Sequence, residues 1–358
     1  MVRLILDSSS GSYPVVIGSN IQRELRGAVA RLDPTAVAII TDSNVRPWAV
    51  KVAKSIKRAG LKTAIHVVPA GERSKSMNQL QEVLGFLERQ RIDRGGCVIA
   101  VGGGTVGDLA GFAAAVWQRG IRLVAVPTTL LAMVDSSIGG KTGVNGTRFK
   151  NAIGAFWQPS AVIADLASIE TLPPASYRDA FAEVVKYAVA MDRGLFDLLQ
   201  KERERLLDQD RAMLERVVFR CVAAKALIVA KDERETGPRA ILNYGHTAGH
   251  ALEAASGFRT SHGRAVAFGM RVAARIALSM ELCGKRLVES QDELLTAYGL
   301  PDRVPAVDPG RVLAAISRDK KARRGKVAWV MPRRLGHADY GHAVPSALVR
   351  RVITRALA

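Results

Sequence analysis

One stretch limits the possible folds more than any other. Cys97-Val98-Ile99-Ala100-Val101 is a short apolar run rich in β-branched residues, and Gly102-Gly103-Gly104-Thr105-Val106-Gly107-Asp108-Leu109-Ala110-Gly111 follows it without a spacer. The pattern reads as a strand, a glycine turn and the start of a helix built from small residues. Glycine lets the backbone approach phosphate oxygens closely, and the N–H groups at a helix N-terminus attract an anion, so the junction has the composition of a pyrophosphate cradle. Gly102, Gly104 and Gly107 keep the G-x-G-x-x-G spacing, but the acid expected about 20 residues on is missing, because the next strand runs into Pro127-Thr128-Thr129. An acid does stand at the end of an earlier run, Asp42 after Ala38-Ile39-Ile40-Thr41, in a place suited to ribose hydroxyls. A tight packing turn between helix and sheet explains the glycines about as well, so the run by itself leaves both readings open.

The surroundings fit a parallel sheet. Val37 to Thr41, Thr63 to Val68, Cys97 to Val101 and Leu123 to Val126 are short β-rich runs, and longer amphipathic stretches separate them. Strands alternating with helices imply crossover connections and a Rossmann-like α/β domain. After Leu172-Pro173-Pro174 the pattern changes: Tyr177 to about Leu300 carries long periodic apolar segments, few β-rich runs and no proline except Pro238. The expected division is an α/β domain over residues 1–175 and a mostly α-helical domain over 176–358.

A length of 358 residues suits two such domains, and 48% hydrophobic with 24% charged residues is ordinary for a globular chain. No stretch approaches the roughly 18 uninterrupted apolar residues of a membrane span, and the N-terminus meets Asp7 before any signal-peptide core forms. Cys97, Cys221 and Cys283 are scattered and odd in number, which fits reduced thiols and a cytoplasmic protein. The net charge of +19 is the unusual property. It suits attraction of an anionic small molecule, nucleic-acid binding, or arginines spread over a solvated surface. Only Arg318 to Arg334 is densely basic, and no nucleic-acid motif accompanies it, so no nucleic-acid partner is expected.

Half of the six histidines fall between His246 and His262. His246 and His250 are spaced i and i+4, on one face of a helix if the segment is helical, and His262 follows in Ser261-His262-Gly263. Such clustering suggests a metal, with a carboxylate from another helix completing a three-ligand open site. Glu183, in a segment apolar apart from Lys186 one turn away, is the candidate. Capping and core hydrogen bonds are the competing account of His246 and His250, and spacing alone does not choose between them as ligands. A third group is cationic: Lys141 and Lys150 lie among glycines and hydroxyls suited to phosphate contacts, while Lys225 and Arg239 flank the acidic run Asp232-Glu233-Arg234-Glu235.

Taken together, these segments closely resemble the 3-dehydroquinate synthases, a family of sugar phosphate cyclases. The matching strings include Pro69 to Lys75, Gly102 to Phe112, Arg119 to Arg122, Pro127 to Ala132, Asp135 to Gly143, Lys150-Asn151, Ala182 to Tyr187, Arg239 to His250 and His262-Gly263. The likeness runs from about residue 12 to about residue 330.

The resemblance implies roles at matching positions. Glu183, His246 and His262 match the metal ligands, with zinc or cobalt as the metal, and His250 matches an active-site histidine that is not a ligand. Asp42, Glu72, Lys75, Gly103, Gly104, Asp108, Thr128, Thr129 and Thr171 match contacts to NAD, and Lys141 and Lys150 are counted with them. Arg119, Asp135, Lys141, Asn151, Lys186, Lys225, Arg239, Asn243 and one of Lys320 or Lys321 match substrate contacts. The family also implies a homodimer, with the equivalent of Arg119 reaching a neighbouring site. The implied reaction closes a phosphorylated seven-carbon sugar acid into a carbocycle, with an oxidation that is reversed within each turnover and loss of phosphate. Lys141, Lys186, Lys225 and Arg239 exceed what one phosphate needs, which implies two anionic groups on the substrate.

Two departures stand out. The family commonly has Glu after His-Gly, where this chain has Arg264, and Asn145 to Phe149 replaces a loop that usually carries Pro or a second Gly. Cyclases of the valiolone type, acting on sugars without a carboxylate, tend to change the positions of Lys225, Asn243 or Lys320, all retained here, while an amino-substituted analogue of the substrate stays open. A polyol dehydrogenase of similar architecture is the reading from another class.

Overall fold

The computed structural model describes residues 1–147, 149–302, 304, 306–317 and 327–358. They form two compact units, Met1–Leu172 with Leu214–Arg234, and Pro173–Met213 with Glu235–Ala358.

The first unit is built on a seven-stranded sheet in the order Val2–Ser8, Gly11–Gly18, Ala161–Asp165, Arg122–Pro127, Cys97–Gly102, Val37–Asp42, Thr63–Val68. All neighbours are parallel except the edge hairpin formed by the first two strands. Alternate residues of each central strand feed opposite cores. Val37, Ile39, Ile99 and Val101 pack with Leu25, Val29, Val52 and Ile56 on one face, while Ala38, Ile40, Val98 and Ala100 pack with Val83, Leu87, Val106 and Leu109 on the other. That two-sided burial is why these strands read as continuous apolar runs. The chain winds in opposite directions from Val37–Asp42 and Cys97–Gly102, so their C-terminal ends flank a topological switch point, the usual ligand crevice of such sheets.

The four β-rich runs foreseen from the sequence are all strands of this sheet. Its N-terminal hairpin, the strand Ala161–Asp165 and the small hairpin Lys141–Val144 with Ile153–Phe156 were not foreseen. The helix Arg211–Lys231 lies beyond the division expected near residue 175, yet all of it from Leu214 on groups with the sheet. The anchors are polar: Glu215 meets the N-terminal ammonium at 2.9 Å, and Glu233 accepts from the Ser9 N–H at 2.9 Å and from Gln158 Nε2 at 2.7 Å. Helical periodicity in a sequence does not say which layer the helix returns to.

The second unit is mostly helical, with one antiparallel hairpin, Ala328–Arg334 with His337–Ala343. Its centre is formed by the helices Pro174–Ala190, His246–Ala255 and His262–Ser279, whose inner faces are rich in alanine and glycine. Small residues bring the backbones close. A Cβ on Gly269 would fall 1.7 Å from the carbonyl oxygen of Gly245, and one on Gly263 would fall 1.9 Å from that of Asp179. None of the helices among the described residues is long and apolar enough to cross a membrane.

These contacts set up an opposed pair of substitutions. Gly269→Ala forces two helices apart, and overpacking of this kind costs roughly 1–3 kcal/mol or more. Gly107 is helical with nothing within 4 Å of its missing Cβ, so Gly107→Ala should gain about 0.5–1 kcal/mol from reduced backbone entropy. Urea unfolding of the ligand-free protein should shift in opposite directions for the two variants.

Candidate active site

In the first unit, the strand Cys97–Gly102 turns directly into the helix Gly104–Val116, with Gly103 at the N-cap and no side chain capping the first turn. The helix N–H groups therefore remain for an anion. Asp42, Gly103 and Thr128 stand at the C-terminal ends of three adjacent parallel strands. The Thr128 N–H donates to the Gly102 carbonyl at 3.0 Å, while its hydroxyl is buried with no hydrogen-bond partner among the described residues. Thr129 Oγ1 accepts from the Ala132 N–H at 3.1 Å, and Thr171 donates to the Ser168 carbonyl at 2.7 Å. Asp42 accepts from the N–H groups of Asn44 and Val45 at 2.8 and 3.3 Å, which organises the turn into the next helix.

A polar chain ties the loop after Val144 to this helix. Lys75 pairs with Asp108 at 2.5 Å and donates to Asn151, the Asn151 N–H donates to Asn145 at 2.8 Å, and Asn145 donates to Glu72 at 2.9 Å. Burial pushes the Asp108 carboxyl up, and Lys75 opposes it. Asn145, in the loop that departs from the family pattern, thus joins Glu72 to Asn151. Arg119 lies on a strained turn: Gln118 and Arg119 are left-handed at φ 50° and 68°, and Gly120 at φ 120° has the Trp157 ring where a Cβ would stand. Lys141 opens the exposed end of Lys141–Val144, and Lys150 lies in the loop that follows.

In the second unit, Glu183 from Pro174–Ala190, His246 at the start of His246–Ala255 and His262 at the start of His262–Ser279 converge. One ligand atom from each lies within 4.8 Å of the others. Glu183 Oε1 is 3.3 Å from His246 Nε2 and 3.2 Å from His262 Nε2. His246 Nδ1 faces the Tyr244 carbonyl at 3.2 Å, which fixes the ring with Nε2 turned to the acid. Burial by itself would raise the Glu183 carboxyl, but Lys186 and the two imidazoles hold it well below the ordinary carboxylate range. His250 is not within that group but forms a second one with Glu253 and His262; its side chain is 47% exposed, and its Nε2 is 4.0 Å from Glu253. Of the two histidines that their spacing made equivalent, His246 is the one whose ring meets Glu183.

Asp179, one turn before Glu183, holds the start of the His262 helix. It accepts from Ser261 Oγ at 2.5 Å and from the N–H groups of Gly263 and Arg264 at 2.8 and 3.1 Å. Arg239 is buried, and Asn243 donates to Glu235 at 2.6 Å. Asp179, Glu235 and Glu253 were not foreseen; the one signal for Asp179 was its i−4 spacing from Glu183.

The cations demand a revision. Lys186 is ion-paired with Glu183, and Lys225 Nζ meets both the carboxylate and the carbonyl of Asp135 at 2.7 Å. Both lysines, counted among the cations expected to answer substrate charge, have carboxylate partners within the protein, so the number of cations does not by itself count substrate anions. Lys320 and Lys321 lie outside the described residues.

Comparison with known proteins decides the family. Residues 65–179 match the 3-dehydroquinate synthase N-terminal family and residues 180–322 the 3-dehydroquinate synthase C-terminal family. A 3-dehydroquinate synthase of Desulforamulus reducens is 43% identical over 355 residues, spanning 98% of this chain and 99% of that one. The chain belongs to the 3-dehydroquinate synthase family. Another relative, the 3-dehydroquinate synthase of Pelobacter propionicus, is 44% identical over 91% of this chain and 89% of its own. Among solved structures, 2-deoxy-scyllo-inosose synthase complexed with carbaglucose-6-phosphate, NAD+ and Co2+ is similar with TM-score 0.90 at 26% identity, covering 99% of both chains. A 2-epi-5-epi-valiolone synthase from Streptomyces hygroscopicus with NAD+ and Zn2+ bound has TM-score 0.88 at 27% identity, covering 96% of both. A probable glycerol dehydrogenase from Sinorhizobium meliloti, TM-score 0.65 at 15% identity over 96% of this chain and 96% of its own, shares the fold alone.

Asp179 serves three donors at the start of the His262 helix. Removing a cap of this kind costs about 0.5–2 kcal/mol. Asp179→Ala, which orphans three donors, is expected near the top of that range in urea unfolding, and Ser261→Ala, which leaves both backbone donors served, near the bottom.

Proposed function

We propose that the chain catalyses the reaction of its relatives, cyclising 3-deoxy-D-arabino-heptulosonate 7-phosphate to 3-dehydroquinate with loss of phosphate, as a carbon–oxygen lyase of aromatic amino acid biosynthesis. The observation that carries this reading is the convergence of Glu183, His246 and His262 in a chain of this family. Their donor set, one carboxylate oxygen and two imidazole nitrogens, fits a divalent metal such as Zn2+ or Co2+ with a position left for substrate. On the sheet unit, the uncapped helix start at Gly103 and the unpartnered, buried Thr128 hydroxyl fit the diphosphate of NAD. When bound, the metal would supply Lewis acidity at substrate oxygens and NAD a reversible hydride acceptor.

The chain's own side chains would do the rest. Lys186 keeps Glu183 charged and available to the metal. His250, half exposed and within reach of the Glu253 carboxylate, is suited to passing a proton between substrate and solvent. Asn243 is oriented by Glu235, and Arg239 is held rigidly by burial, which suits a planar two-point contact to a carboxylate or phosphate. On the sheet unit, Lys141 and Asn151 are suited to anion contacts, and Asp135 holds Lys225 in one place. A homodimer in the cytoplasm, with Arg119 directed at a neighbouring site, belongs to the same proposal.

The deciding experiment incubates the protein with that heptulosonate phosphate, NAD and Zn2+ and follows phosphate release together with the carbocyclic product. NAD should suffice in catalytic amount; NADH accumulating in step with product identifies a dehydrogenase instead. Chelation should abolish turnover and Zn2+ or Co2+ restore it. Glu183→Gln, His246→Ala and His262→Ala should each lose bound metal by elemental analysis, and His250→Ala should keep it. Arg239→Lys should lower kcat/KM by about ten- to a hundredfold, since a charge-assisted hydrogen bond contributes roughly 1.5–3 kcal/mol. Equal turnover of a sugar 7-phosphate lacking the carboxylate would move the chain to the cyclases that act on such sugars.

A further inference from the structure

The reading of Glu183, His246 and His262 as ligands leaves a second buried acid beside them. Glu253 lies on the helix His246–Ala255, seven residues after His246 and three after His250, on the same face. Its helical neighbours are Ala251, Leu252 and Ala255, and its side chain is 7% exposed. A carboxylate in such surroundings is costly unless positive or hydrogen-bonding groups face it.

Among the groups that face it are two imidazoles. Glu253 Oε1 is 3.7 Å from His262 Nδ1, and Oε2 is 4.0 Å from His250 Nε2. His262 comes from another helix, and its opposite nitrogen, Nε2, is the one that meets Glu183 at 3.2 Å. The His262 ring is therefore bracketed by two buried carboxylates, one at each nitrogen. His246 is held differently. There the outer nitrogen faces a neutral backbone carbonyl two residues earlier in the chain, at Tyr244. His262 is given an anion instead, and an anion at the outer nitrogen both fixes which nitrogen carries the proton and makes the inner one a stronger donor to a metal.

We infer that Glu253 is the positioning residue of the metal centre, holding the His262 ring with Nε2 toward Glu183 and thereby setting the affinity for a divalent cation. The inference rests on the ligand reading given under the proposed function. It assigns Glu253 no contact with substrate and no bond to the metal. His262, at the first residue of its helix and 34% exposed in its side chain, needs such a hold more than His246, which is 13% exposed.

The test uses full-length protein stripped of metal and titrated with Co2+ against a chromophoric chelator, with the Co2+ absorption spectrum recorded at saturation. Glu253→Gln should weaken Co2+ binding by about ten- to a hundredfold and shift the spectrum, while the unfolding temperature of the metal-free protein stays in place. Glu253→Asp, which keeps the charge, should retain more of the affinity than Glu253→Gln, and it supplies the measurement if the glutamine variant does not fold. Unchanged affinity and spectrum in Glu253→Gln would overturn the inference. So would a metal-free protein destabilised in step with the lost affinity, which marks a packing role, or the loss of a second equivalent of Co2+ with the first unaffected, which makes Glu253 a ligand. A parent chain that takes up no Co2+ refutes the ligand reading itself, an outcome distinct from all of these.

Discussion

The second unit depends on keeping one carboxylate charged in its interior. Glu183 is 1% exposed, and a carboxylate taken from water into such a place without partners loses several kcal/mol. The partners are Lys186 on the same helix and two imidazoles from two other helices. To bring those rings within reach, three helices must approach more closely than side chains of ordinary size permit. The glycines and alanines along their inner faces are the consequence: Gly263 lies against the Asp179 carbonyl and Gly269 against that of Gly245. The composition of the helices and the geometry of the site are therefore one constraint. A methyl group added at Gly269 alters the distance between the helices that carry His246 and His262.

Charge plays a different part in the sheet unit, where polar groups are mostly committed to one another. Lys75 is shared by Asp108 and Asn151, and Lys225 is held by Asp135. These links order the loop after Val144 and the segment after Met133 around the glycine turn. The net charge of +19 belongs largely elsewhere, with exposed residues such as Arg3, Arg58, Arg94, Arg350, Arg351 and Arg355. Spread over a surface, such charge attracts anions at long range and is screened by salt, without specifying which anion is bound. On the proposed function, specificity resides in fixed groups such as Arg239 and Asn243.

The sheet was legible because both its faces are buried. Val37 to Thr41 and Cys97 to Val101 carry no polar alternation to confuse the pattern, and the glycine run marks the turn that follows. The edge hairpin was not legible: Val2–Ser8 alternates exposed and partly buried residues, and its direction is fixed only by pairing. The trio proposed to hold a metal was legible as a cluster of residue types, but the choice between His246 and His250 was not. Both stand on one helical face, and what separates them is Glu183, contributed by a helix more than fifty residues earlier in the chain. Asp179 and Glu253 escaped notice for the same reason. Each acts on a residue of another helix, and no local pattern records such a relation.

Arg264 shows how the geometry resolves what the sequence left open. The family pattern places Glu after His-Gly, and a reversed charge two residues from a ligand invites the expectation of an altered metal environment. The Arg264 side chain is exposed, whereas its backbone N–H is bound to Asp179, as is that of Gly263. The helix start is thus fixed through main-chain groups that any residue at 264 supplies. A cation at the first turn of a helix is mildly unfavourable, by roughly 0.3–1 kcal/mol at an exposed position. The Asp179 carboxylate beneath the same turn opposes that effect, since it brings to the helix N-terminus the negative charge that a Glu at 264 would otherwise contribute. His262 keeps its place because the acid that anchors its helix comes from the neighbouring helix, not from the position that has changed.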